Sequence, residues 1–145
     1  MPQPDPGQAT TTLLRTAYNA MSAAIYRHVA QAADAGLRPA HGNALEMLAI
    51  EDGLRLKDIA AQAGMAPQSM GELVDDLVAK GYLRRQEDPA DRRAKRIYLT
   101  GLGRQAADAG QVATRQAEAQ IQAALGPRQY QQLRRNLAAI ARLGL

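Results

Sequence analysis

The stretch from Gly64 to Thr100, GMAPQSMGELVDDLVAKGYLRRQEDPADRRAKRIYLT, constrains what this chain can fold into more than any other. Met70, Leu73, Val74, Leu77 and Val78 recur at i, i+3, i+4, i+7 and i+8, the apolar stripe of a short helix. Pro67 suits the first turn of that helix, where a missing N–H leaves no bond unmade. Gly81 follows Lys80 as a left-handed stop. Two strand-like runs come next, 83–87 and 95–99, joined by the turn-rich Asp88-Pro89-Ala90-Asp91-Arg92-Arg93. The segment reads as a helix followed by a β-hairpin whose tip carries two arginines. A helix sized for the major groove beside a basic ribbon is an arrangement that reads nucleic acid.

The residues just upstream strengthen that reading. Ala60, Gly64 and Met70 stand four and six apart. In a helix-turn-helix the first is small because two helices cross there, the glycine makes the turn, and the third plugs the space under the second helix. Alanine and glycine are abundant in this chain, so the triplet alone also fits an ordinary helical hairpin. With the arginine-tipped hairpin behind it, a winged helix-turn-helix is the better reading.

The remaining sequence supplies helices. A first helix is expected over 10–35, with Leu14, Tyr18, Met21, Ile25, His28 and Ala32 spaced 4-3-4-3-4, a seam suited to packing along another helix. Pro39 opens a second helix to about Ile50, with Leu45, Leu48 and Ala49 apolar. Asp52-Gly53 is a turn, 54–56 is too short for more than one small strand, and 57–63 is a third helix with Ile59 and Ala60 inward. Thr100 can cap a fifth helix through its hydroxyl, running to about Leu125. Gly126-Pro127 breaks it, and 128–143 forms a sixth with Tyr130, Leu133, Leu137 and Ile140 on one seam. The fold class expected is mainly α with a small β-hairpin wing. Residues 1–8 hold three prolines and are expected to be a disordered arm, neither signal peptide nor membrane span, which places the chain in the cytoplasm. Residues 9–145 would be one domain, with the winged helix-turn-helix at about 38–100 and dimerisation helices at about 10–35 and 101–145.

Composition narrows the function. The absence of cysteine excludes a disulfide framework, a thiolate zinc site and a thiol redox sensor. A net charge of +4 makes polyanions plausible partners. With no Phe or Trp, the core must be built from Leu, Ile, Val, Met and Ala, which favours close-packed helices. His28 and His41 lie on different helices with no nucleophile or paired acid at motif spacing, so catalysis has little support, and no metal or cofactor is expected. Gly101-x-Gly103-x-x-Ala106 mimics a dinucleotide fingerprint, but no second parallel strand follows and no acid stands about twenty residues on.

The run from Asp88 to Lys95, followed by Ile97-Tyr98-Leu99-Thr100 and Gly103, resembles the wing signature of the MarR family of bacterial transcriptional regulators: Asp-x-Arg, an apolar strand, then Leu-Thr-x-x-Gly. Gln68 to Val74, Leu77 and Lys80-Gly81-Tyr82 are similar to that family's recognition helix and its exit. The close match covers roughly 54–104. The resemblance implies a homodimer on a palindromic promoter site that usually loses DNA on binding a small molecule. It also implies recognition-helix contacts in the major groove and wing arginines in the minor groove, with Asp91 and Arg93 at the signature's paired positions. The family's peroxide-sensing branch uses a cysteine, which this chain lacks.

Residue by residue, the candidate DNA contacts are Pro67, Gln68, Ser69, Gly71 and Glu72 on the helix and Arg84, Arg92, Arg93 and Lys95 on the wing, with Asp91 orienting an arginine. Gln can bond bidentately to adenine, and Ser can reach base or phosphate. Glu72, Asp75 and Asp76 against Lys80 leave the helix net negative, so the wing must supply the phosphate attraction, and Asp75 and Asp76 are expected to pair within the chain, with Arg84 or Arg85 as partners. The wing carries Arg84, Arg85, Arg92, Arg93, Lys95 and Arg96 against Glu87, Asp88 and Asp91. A guanidinium in a narrow minor groove meets concentrated negative potential. Tyr18, Met21 and His28 could line a ligand pocket, and Leu14, Ile25, Tyr130, Leu133, Leu137 and Ile140 a dimer seam. The competing reading is a winged-helix module that binds protein, supported by the acidic helix and opposed by the arginine tip.

Overall fold

The computed structural model of the protein describes residues 5, 7–32 and 36–144. In chain order the elements are α1 (Thr10–Ala32), α2 (Pro39–Ile50), β1 (Leu54–Arg55), α3 (Leu56–Gln62), α4 (Pro67–Ala79), β2 (Leu83–Asp88), β3 (Asp91–Leu99), α5 (Gly101–Leu125) and α6 (Pro127–Ala141). The fold is mainly α with one small antiparallel sheet, a winged helix-turn-helix. Two compact units divide the chain, residues 1–113 and 114–145, with α5 starting in the first and ending in the second. The expected N-terminal arm lies mostly outside the described residues; within it, the Gln8 N–H reaches the Asp5 carbonyl at 2.9 Å in a turn. The expected end of the first helix at Ala35 also falls outside them.

In the first unit, α3 and α4 form the helix-turn-helix for local reasons. Ala60 is buried where the helices cross, and Met70 is fully buried beneath α4. Gly64 takes the left-handed φ of 64°, and the Met65 N–H closes back on the Ala60 carbonyl at 2.9 Å. At the far end of α4, Gly81 (φ 81°) lets the Tyr82 N–H return to the Leu77 carbonyl at 2.9 Å. The core beneath joins Leu48 of α2, Ile59 of α3, Met70, Val74 and Leu77 of α4, Tyr82, and Ile97 of β3.

The sheet order is β1-β3-β2, with Leu54 opposite Ile97 and Leu83 opposite Leu99. The hairpin is longer than the sequence suggests. The stretch 88–93, expected as a turn, is largely strand, because β2 reaches Asp88 and β3 begins at Asp91. Pairing runs regularly to Glu87↔Lys95 and then jumps to Asp88↔Asp91. Arg92, Arg93 and Ala94 therefore bulge from β3 between two pairs that hold the strand on either side.

Thr100 caps α5 as expected, its hydroxyl oxygen accepting the Gly103 N–H at 3.1 Å while donating to the Gly81 carbonyl at 2.6 Å. A Cβ at Gly103 would lie 2.1 Å from the Tyr82 carbonyl oxygen. The glycine of the dinucleotide lookalike thus serves close helix–strand packing.

In the second unit, Gly126 (φ 78°) and Pro127 turn the chain from α5 into α6. Arg134 donates to Glu118 of α5 at 3.1 Å and stacks over the Tyr130 ring, 5.8 Å from its centroid. Tyr130 is buried, whereas Leu133, Leu137 and Ile140 on the same seam stay 36–40% exposed.

Candidate nucleic-acid interface

The outer face of α4 is polar and open. Pro67, Gln68, Ser69 and Glu72 are exposed, and Gly71 is half-buried against Leu56. The helix's other acids are engaged within the chain. Asp75 pairs with Arg85. Asp76 accepts from Lys80 Nζ at 2.6 Å and from the His41 ring at 2.7 Å, with the Arg38 guanidinium 3.9 Å away. Lys80 above all holds the Asp76 carboxyl below the usual carboxylate range. Arg85 is thus Asp75's partner, while Asp76 turns to Lys80 and His41 rather than to an arginine of β2.

On the wing, charges divide into bound and unbound. Lys95 lies 3.3 Å from Glu87, and Arg96 lies 3.1 Å from Asp88. Arg84 stacks on the Tyr98 ring at 4.7 Å and donates to the Gln86 side chain at 2.8 Å. Arg92 and Arg93 are exposed, and among the described residues neither guanidinium has an acidic partner. Asp91 acts on Arg93 through the main chain: its Oδ1 accepts the Arg93 backbone N–H at 3.0 Å, so it fixes the backbone of the bulge rather than the guanidinium.

The carboxylate that organises the wing is Asp88, only 1% exposed. Its Oδ2 accepts from Arg55 at 3.0 and 2.7 Å and from Arg96 at 3.1 Å, and its Oδ1 accepts the Ala90 N–H at 3.0 Å. The Ala90 N–H and then Arg55 hold this carboxyl below its usual range. In the sequence Asp88 reads as one acid of the turn-rich wing tip, with no partner assigned to it. The signal was the Asp-Pro-x turn, in which an aspartate bonds its own backbone two residues on.

Other candidate residues lie elsewhere. Tyr18, Met21 and His28 share a face of α1 with Leu14 and Ile25. Tyr18 is 61% exposed and His28 is exposed, its Nδ1 bonded to the Ala24 carbonyl at 2.9 Å, while Ile25 packs on the core. Among the described residues no helix is long and apolar enough to cross a membrane.

No curated protein matches the chain. The family model described as MarR family matches residues 35–94. Among solved structures, a MarR-family transcriptional regulator from Rhodococcus sp. RHA1 is 27% identical, with 94% of this chain and 97% of that one covered and a TM-score of 0.72. The transcriptional repressor CouR, bound to a 23-mer DNA duplex, is 24% identical over 97% of this chain and 100% of its own, with a TM-score of 0.81. The PcaV transcriptional regulator from Streptomyces coelicolor, in complex with its natural ligand, is 19% identical over the full length of both chains, with a TM-score of 0.77. Residues 35–94 thus match the MarR family model, within a chain whose fold is similar to that of MarR-family transcriptional regulators.

Proposed function

We propose that this chain is a sequence-specific transcriptional regulator of double-stranded DNA, a repressor that binds a pseudo-palindromic operator as a homodimer and releases it to a small-molecule effector. The observation that carries the reading is the division of charge. On α4 the acids Asp75 and Asp76 are neutralised inside the chain, leaving Pro67, Gln68, Ser69, Gly71 and Glu72 as the outward face. On the wing, Arg84, Arg92 and Arg93 are left without acid partners among the described residues. That division also weakens the protein-binding alternative, whose main support was an acidic helix.

Gln68 and Ser69 read base edges in the major groove, and Arg92 and Arg93 enter the minor groove. The exposed seam of Leu133, Leu137 and Ile140, with Leu14 and Ile25 on α1 and Tyr130, joins two copies. Tyr18, Met21 and His28 border the effector. The DNA complex of CouR and the ligand complex of PcaV support both partner classes for this fold. Two-fold symmetry would place half-sites about one helical turn, roughly 10 bp, apart.

The test is anisotropy on operator and random duplexes across a salt series. Arg93→Ala, and Arg92→Ala with it, should weaken binding to both and lower the log–log salt slope by about one per lost contact. Gln68→Ala should cost about 1–3 kcal/mol on the operator and much less on random DNA. Unchanged affinity and slope in Arg93→Ala, with helicity intact, would make the wing a solvated loop and the protein-binding module the better reading.

A further inference from the structure

His41, the third residue of α2, is fully buried, and both sides of its ring are used. Nδ1 accepts the backbone N–H of Arg38, the residue that precedes the helix, at 2.9 Å. Nε2 donates to Asp76 Oδ2 at 2.7 Å, in the last turn of α4. The first bond is the half of a capping box that Glu or Gln usually makes at this position. The second ties the entry of α2 to the exit of α4, 35 residues along the chain. Only a neutral imidazole with its proton on Nε2 can make both bonds.

The charged groups facing the ring are one carboxylate and two cations. Asp76 lies on α4, Lys80 follows it with Nζ 2.6 Å from the same carboxylate oxygen, and Arg38 comes from the α2 side. Lys80 Nζ also donates to the Gly36 carbonyl at 3.1 Å, a second strap between the same two places. A further proton on the imidazole can go only to Nδ1, where it would face the Arg38 N–H, donor against donor. Burial foremost pushes the imidazole below its ordinary value, with Lys80 and Arg38 adding to it against the pull of Asp76.

We infer that His41 is an acid-sensitive positioning residue for the recognition helix: when neutral it latches the last turn of α4 to the entry of α2, and taking up a proton opens that latch and weakens DNA binding. The inference rests on α4 being the DNA-reading helix and adds a mode of regulation to it. The latched state binds protons less readily than a free histidine. Its stabilising effect is therefore complete above about pH 6.5 and is lost as the pH falls through the lower latched value. One proton per subunit sets the scale, at most about tenfold in affinity per pH unit for each half-site.

The experiment is operator affinity between about pH 8 and pH 5.5 at constant ionic strength for the wild type and His41→Gln. Gln donates to Asp76 without titrating. The expected result is a fall in wild-type affinity below about pH 6.5 and a flat profile for His41→Gln. Parallel profiles for wild type and His41→Gln overturn the inference. The wild-type protein gives a variant-free measurement by ¹H–¹⁵N NMR. The His41 ring nitrogens and the Arg38 and Asp76 amides should titrate together, at the midpoint of the affinity change. A ring that stays neutral while affinity falls overturns the latch. If no duplex is bound at about pH 7.5, the DNA reading fails on its own. The latch then stands or falls on whether the α4 amides move with the His41 ring.

Discussion

Replacing Gly103 by alanine pits two effects of opposite sign against each other, and the structure decides between them. Gly103 sits in the first turn of α5, where helix propensity favours alanine by about 1 kcal/mol. Its missing Cβ would stand 2.1 Å from the Tyr82 carbonyl oxygen, 3.1 Å from that carbonyl carbon and 3.2 Å from Leu99 Cδ2. The carbonyl cannot swing away freely, because it accepts the Thr100 N–H at 3.0 Å and shares the Thr100 hydroxyl proton, with the oxygen 3.1 Å away, with the Gly81 carbonyl. Backbone must shift by roughly 1 Å, an overpacking that costs about 1–3 kcal/mol. Weakening the two bonds to Thr100 adds about 1 kcal/mol each. The net expectation is a loss of about 2–4 kcal/mol, or a melting temperature lower by about 5–15 °C for a chain of this size. Thermal unfolding followed by circular dichroism reads it directly. Gly101→Ala is the control, since no atom lies within 4 Å of a Cβ there, and it should be neutral or slightly stabilising. A Gly103→Ala protein as stable as wild type would refute the claim that close approach, rather than flexibility, requires glycine at this position.

Met70→Ala should destabilise by about 2–5 kcal/mol in denaturant melts, because Met70 is fully buried under α4 and its removal leaves a cavity. Tyr82→Phe should be neutral or stabilise by up to about 1 kcal/mol, since the buried Tyr82 hydroxyl has no hydrogen-bond partner among the described residues. Asp88→Asn should leave helix content unchanged, speed amide exchange at Ala90 and Arg93 on the order of tenfold, and weaken DNA binding. Arg55 and Arg96 would lose the carboxylate between them. Leu137→Asp should convert a dimer to monomer in sedimentation, since Leu137 is 40% exposed in the single chain and lies mid-seam.

What the sequence made legible was local chemistry. Ala60, Gly64 and Met70, together with the arginine-tipped hairpin behind them, point to a helix-turn-helix, because crossing, turn and plug each demand one kind of residue within eleven positions. Thr100 and Gly81 declare helix ends for the same reason. The hairpin tip was harder. A period of two cannot reveal that Arg92, Arg93 and Ala94 are surplus to the register, since the jump depends on Asp88 folding back onto Ala90. The residues missed were those whose meaning lies in a distant partner. Asp88 reads as one surface charge among several until Arg55, 33 positions away, reaches it. His41 reads as an ordinary core histidine until Arg38 and Asp76 occupy its two nitrogens. Similarly, the α6 seam is apolar by pattern, yet only Tyr130 of its four residues is covered within the chain.

The short strand β1 has a consequence for how the wing moves. Leu54 and Arg55 pair with Ile97 and Arg96, so the whole helix-turn-helix lies between two paired segments of chain. Closing that loop requires α3 and α4 to be in place, and opening the pairing releases them. Four residues earlier on β3 the register jump leaves Arg92 and Arg93 outside any paired position. A single nine-residue strand therefore joins a root paired on both sides to the bulge that carries the two arginines. Amides at Ile97 and Leu99 should exchange only with global unfolding, and those of the bulge through local opening. In the proposed DNA complex, Arg92 and Arg93 would follow variations in groove width while the helix beside them keeps its place.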